Sequence, residues 1–172
     1  MKKIITMFLL VILIFMLTSC SSKDYGSNSV NENSNKDIYN FFEELDKLPK
    51  KYNLELAQKN GDVVSVHGKG YNIDKLEGFI EKFKNKKLEE SDKVRITTYT
   101  VEGDAIIHEL IFSDKDMKLI VDNTRDEFAG SDNRKKKQYK VLDISKYNKN
   151  EGIFYTAKTD KDGEIHLIYI TK

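Results

Sequence analysis

The hydrophobic rhythm of the chain changes several times, and each change predicts a different element. Ile4 to Leu17 is apolar throughout except for Thr6. Ser21 to Lys36 is rich in Ser and Asn and almost without apolar positions. Such a segment cannot bury enough surface to offset its ordering entropy, so it reads as a flexible tether. Between Asp37 and Lys47, Ile38, Phe41, Phe42 and Leu45 recur at helical spacing, and Pro49 stands just past the end. A second short turn is expected around Leu54 to Ala57. The run DVVSVHG, beginning at Asp62, is β-branched and ends in Gly, which predicts a strand. Ile73, Leu76, Phe79, Ile80 and Phe83 then fall on one face and predict a helix from Ile73 to about Lys86. Asn72 is its expected N-cap, and the lysines at its far end suit the negative end of the helix dipole. Beyond that helix the period is two. Strands are predicted at Lys93 to Val101, Ala105 to Phe112, Met117 to Asn123, Gln138 to Ile144, Ile153 to Lys158 and Glu164 to Thr171. Glu102-Gly103-Asp104 and Asp162-Gly163 are hairpin turns.

Strands joined by short turns pair antiparallel, and a sheet needs cover on a face. The expected fold is therefore α+β: one main helix packed on a twisted antiparallel sheet of about five to six strands. A signal peptide and a flexible tether precede it.

The N-terminal apolar run fixes where such a domain would work. Lys2 and Lys3 precede it, and at ~1.5 Å per residue it spans roughly 21 Å, short of the ~30 Å hydrocarbon core. It reads as a signal-peptide core rather than a membrane span. Leu17-Thr18-Ser19-Cys20 follows at once and resembles the lipobox of bacterial lipoproteins. That resemblance implies cleavage before Cys20 and a diacylglycerol on its thiol. Cys20 is the only cysteine, so no disulfide can form within the chain. The expected organisation is a signal over 1–19, a lipidated tether over 20–36, a short helical lead-in over 37–56 and an α+β domain over 57–172. The expected location is the extracytoplasmic side of the cell membrane, lipid-anchored through Cys20. The expected partners are membrane lipid and an envelope protein or cell-wall component.

Charge narrows the partners further. The chain has 29 Lys and Arg against 28 Asp and Glu. Without Lys2 and Lys3 the acidic residues exceed the basic ones by one. This near balance, with export, argues against nucleic acid. The one concentrated run, Arg134 to Lys137, reads as a solvated loop or as a patch drawn to anionic lipid or cell-wall polymer.

Chemistry-bearing motifs are scarce. His67, His108 and His166 sit on or beside predicted strands, and none has metal-ligand spacing. Asp160 to Glu164 lacks the further ligands of a calcium loop, and Gly68-Lys69-Gly70 lacks the rest of a phosphate loop. No Ser lies in a nucleophile elbow. No catalytic residue, metal site or cofactor is expected. One constellation stands out. In a meander the Glu102 turn and the end of the third strand of the run share an edge, which gathers Glu102, Asp104, Asp122, Arg125 and Asp126. Arg95 joins them if it faces the same way. The set is either a group of turn-capping carboxylates with an Arg salt bridge or a small polar site.

DVVSVHG, the Asn72-led helix, VRITTYTVEGDAI and DNTRDEF occur in order and at compact spacing. Together they resemble small bacterial lipoproteins carrying domain of unknown function 4362, over roughly Ala57 to Lys172. The resemblance implies a membrane-tethered extracytoplasmic domain, chiefly of Gram-positive bacteria, with no established activity and no catalytic residues to carry over. Two departures from the family pattern stand out: Ala105 occupies the place where Pro is expected after the EGD turn, and the expected cysteine pair in the C-terminal half is absent. The functional expectation is a non-enzymatic binding or interaction module. The alternatives are an inhibitor or immunity-type lipoprotein acting on a secreted enzyme, and a small enzyme using the acidic edge.

Overall fold

Alternating β-branched residues and tight turns dominate the chain after Asp62, and the structure follows them into sheet. A computed structural model describes residues 44–149 and 151–172. The signal, Cys20, the tether and the start of the lead-in helix lie outside the described residues. Residues 44–47 form a helical turn. The elements after it are α1 (Leu54–Lys59), β1 (Val63–Val66), β2 (Lys69–Tyr71), α2 (Ile73–Lys84), β3 (Lys93–Tyr99), β4 (Ala105–Ser113), β5 (Asp116–Asp122), β6 (Lys136–Lys149), β7 (Gly152–Thr159) and β8 (Glu164–Thr171).

These strands form one eight-stranded sheet in the order β2-β1-β3-β4-β5-β6-β7-β8. The expected α+β arrangement, with one main helix on five to six antiparallel strands, is overturned. The protein is mostly sheet, curled into a half-barrel, with three short helices among the described residues. Three local features account for the difference. β2 is only three residues long and follows β1 through His67 and Gly68, both at positive φ (49° and 81°), so no periodicity announces it. β1 pairs with β3 in parallel, through the crossover that α2 supplies, so it joins the meander instead of standing apart. β6 runs for 14 residues and slips register between Val141 and Asp143. Its first part pairs with β5 and the remainder with β7, and the bulge bends the sheet on itself.

Both faces of the sheet are covered. On one face Leu76, Phe79 and Ile80 of α2 pack with Val94, Ile96, Leu119, Tyr155 and Leu167. On the other, Leu45, Tyr52 and Ala57 cover Val64, Ile107, Ile111 and Ile120. Each such aliphatic side chain, fully buried, contributes about 1.5–3 kcal/mol. Asn53 caps α1, its side chain accepting from Leu56 N at 3.0 Å. Asn72, the expected cap of α2, makes no side-chain cap bond. It lies in the left-handed region (φ 55°) and its amide donates to Asp62 O at 2.7 Å, which ties the start of α2 to the entry of β1. The two edges of the sheet meet at one end. Ser65 Oγ donates to Tyr169 O at 2.6 Å, and Thr171 N to Gly68 O at 2.8 Å.

Candidate functional site

Five of the six sequence-named polar residues gather where the β3–β4 turn and the end of β5 meet. Asp122, the last residue of β5, is fully buried, and Arg125 folds back over it with Nη1 donating to Asp122 Oδ2 at 2.7 Å. The rest of the guanidinium points at backbone. Nη2 donates to Leu45 O at 2.7 Å and Leu48 O at 3.2 Å, and Nε to Pro49 O at 3.2 Å. Arg125 thus caps the carbonyls at the end of the 44–47 helix and holds that segment on the sheet. Asp122 Oδ1 accepts from the amide and hydroxyl of Thr124 at 2.9 and 2.6 Å. Asp126 Oδ1 accepts from Phe128 N and Ala129 N, and Asp104 Oδ2 from Glu127 N at 2.8 Å. Glu102 is exposed on its turn. The basic run beyond is partly engaged as well: Arg134 donates to Glu127 O, and Lys136 pairs with Asp46.

Arg95 lies elsewhere. Along β3 it alternates with the buried Val94 and Ile96, near the strand's start, where β3 has no partner in β1. The β3–β4 register sets Glu109 directly across from it. Its Nε and Nη2 both reach Glu109 Oε1 at 2.5 Å, and Nη1 lies 3.9 Å from Asp62 Oδ1. Asp62 is 2% exposed; its Oδ2 accepts from Tyr52 Oη at 2.9 Å and Thr97 Oγ1 at 2.7 Å. Glu109 is 1% exposed, and its Oε2 has no hydrogen-bond partner in the protein.

Two carboxyl groups and one guanidinium therefore share one buried site. Burial pushes both acids up, against the opposing pull of Thr97 and Arg95 on Asp62 and of Arg95 on Glu109. Burial also pulls on Arg95, but Glu109 and Asp62 outweigh it and raise the guanidinium further.

The network forms one wall of a cleft of about 700 Å³. Gly78, Phe79 and Lys82 of α2 form another wall, and Lys75 donates to Gly61 O at its rim at 2.8 Å. Asp62 and Glu109 escape a search for sequence motifs because they are far apart in the chain. The signal that locates Glu109 is register: counted outward from the Glu102-Gly103-Asp104 turn, it falls opposite Arg95. Among the described residues, no group of three His, Cys, Asp or Glu side chains could hold a metal ion, and no helix is long and apolar enough to cross a membrane.

A family profile described as a domain of unknown function, DUF4362, matches residues 60–156. That span holds Asp62, Arg95, Glu109, Asp122 and Arg125 alike. No curated protein and no solved structure matches the chain.

Proposed function

Because this chain belongs to the DUF4362 family, whose domain carries no assigned activity, we propose a function from its leader and its cleft: a lipid-tethered extracytoplasmic binding module. Lys2, Lys3, the short apolar run and the Leu17-Thr18-Ser19-Cys20 sequence support export and acylation at Cys20. Two acyl chains would make the attachment lasting, since one alone holds only marginally.

The observation that carries the binding role is Glu109 Oε2, a buried carboxylate oxygen with no partner, in the wall of a cleft. An orphaned buried acceptor costs about 1–3 kcal/mol, more when charged. A ligand that brings a donor and a positive charge recovers that cost on binding. The partner is therefore an envelope component presenting a basic group. Within the network the guanidinium is held by Glu109 and Asp62, and the Tyr52 and Thr97 hydroxyls both donate to Asp62, an arrangement that favours recognition over turnover.

The test is chemical crosslinking in intact cells followed by affinity capture, comparing the native chain with Cys20→Ala and Glu109→Gln. The expected result is one specific envelope partner with the native chain. Its recovery falls at least tenfold in either variant, while circular dichroism of Glu109→Gln stays native. Equal recovery with all three chains would sink the reading.

A further inference from the structure

The half-barrel has a second concavity, separate from the ionic cleft. α2 fills one end of the inner face through Leu76, Phe79 and Ile80. The inner face also holds a hollow of about 320 Å³, walled by β3, β4 and the end of β5 on one side and by β8 on the other. β8 pairs only with β7. Its other side meets the opposite edge of the sheet at Tyr169 and Thr171, and residues 166–169 line the hollow.

The chemistry of this lining is distinctive. It contains no Asp, Glu, Lys or Arg. Ile106, Val121, Leu167 and Ile168 supply aliphatic wall, and the polar groups are those of Thr98, His108, Asn123, His166 and Tyr169. Two of these polar groups are orphaned. His108 Nδ1 and Asn123 Oδ1 are both buried without a hydrogen-bond partner in the protein. His108 lies on β4 and Asn123 just past the end of β5, so two residues with an unmet buried polar atom line a single small hollow. Burial, with His166 facing it, holds the His108 imidazole down at about 4, so it is neutral at physiological pH. An ion entering here would be desolvated with no counter-charge in the lining, which is expensive for either sign. An uncharged ligand avoids that penalty, and its hydroxyl or amide groups can meet the orphaned atoms. Binding sites commonly lie in the mouths of β-barrels, with mostly apolar walls and a few polar groups.

We propose that this hollow binds a small uncharged molecule with a compact apolar body and one or more hydroxyl or amide groups directed at His108 and Asn123. The site is independent of the ionic cleft, and neither reading needs the other.

The experiment is an NMR titration of the full-length chain in lipid nanodiscs, with isotope-labelled methyl groups and histidines. The probe is trans-1,2-cyclohexanediol, with cyclohexylammonium and cyclohexanecarboxylate as charged counterparts. The diol is expected to shift the methyl signals of Ile106, Val121 and Leu167 and the His108 imidazole, saturably and with one affinity. Both charged probes are expected to bind at least tenfold more weakly. Ile106→Trp, which fills the hollow from β4, abolishes the shifts, and His108→Phe weakens diol binding about tenfold. Thr98→Tyr fills the hollow from β3, and whichever filling variant keeps the native methyl spectrum decides the point. Shifts that never saturate, charged probes binding as tightly as the diol, or saturable binding that survives in a folded filling variant would each overturn the proposal.

Discussion

Arg95 holds two buried carboxylates at once, and removing it exposes what they do to stability. Arg95→Met leaves Asp62 and Glu109 without their counter-charge, and breaking a buried pair in this way costs about 3–5 kcal/mol. The loss depends on pH with a definite sign. Both acids have folded-state values above their unfolded ones, so folding takes up protons. The stability linked to this uptake is fully present below the unfolded values near ~4 and is lost as pH rises through the folded values. Without Arg95 the two acids rise further. The deficit of Arg95→Met is therefore expected to be largest at pH 7 and to shrink as pH falls toward the acid range. Urea unfolding of both chains across that range measures it, and a deficit constant with pH would mean that packing, not charge, carries the effect. The sequence exposed Arg95 as a polar residue on an alternating strand. It hid Asp62 and Glu109, because a lone carboxylate in a β-branched run looks like any solvent-facing position until register pairs it with an arginine.

At the level of elements, the segment before β1 is built into the sheet's second face. Leu45 and Tyr52 are buried there, and Arg125 grips the carbonyls of Leu45, Leu48 and Pro49. Arg125→Met is expected to strand Asp122 as a buried unpaired carboxylate and to uncap three carbonyls, at a cost of about 3–5 kcal/mol. Hydrogen exchange is the sharper readout: protection at residues 44–57 falls first, while that of β7 and β8 holds. Equal loss across all strands would mean that Arg125 supports the whole sheet rather than this segment. The helical period of α2 and the turns at Glu102 and Asp162 are local signals, and they were readable in the sequence. β2 was not, since three residues carry no period. The parallel β1–β3 pairing was not either, because nothing in DVVSVHG states which strand it will join. Coverage of the second face by Leu45, Tyr52 and Ala57 is likewise a tertiary fact, decided by contacts distant in the chain.

Across the whole molecule, the meander was legible from its alternating strands, but the curl was not. Curling comes from the β6 bulge at Val141–Asp143, where a register slip leaves no mark on composition. The result brings Gly68 to Thr171, across almost the entire sheet order. Thr171→Pro removes both the amide and the hydroxyl that donate to Gly68 O and is expected to cost about 1–3 kcal/mol. The diagnostic change is faster hydrogen exchange in β1 and β2 together with β8; exchange quickened in β8 alone would show that the edges do not support one another. The meeting of these edges also bears on how copies of the protein behave beside one another. An open sheet ends in rows of unsatisfied amides and carbonyls that recruit strands from neighbouring molecules. Here β2 is three residues long and β8 is partly engaged by the opposite edge, so little template remains for intermolecular pairing. The fold is thereby suited to crowding: many copies can sit side by side without exchanging strands or seeding fibrils.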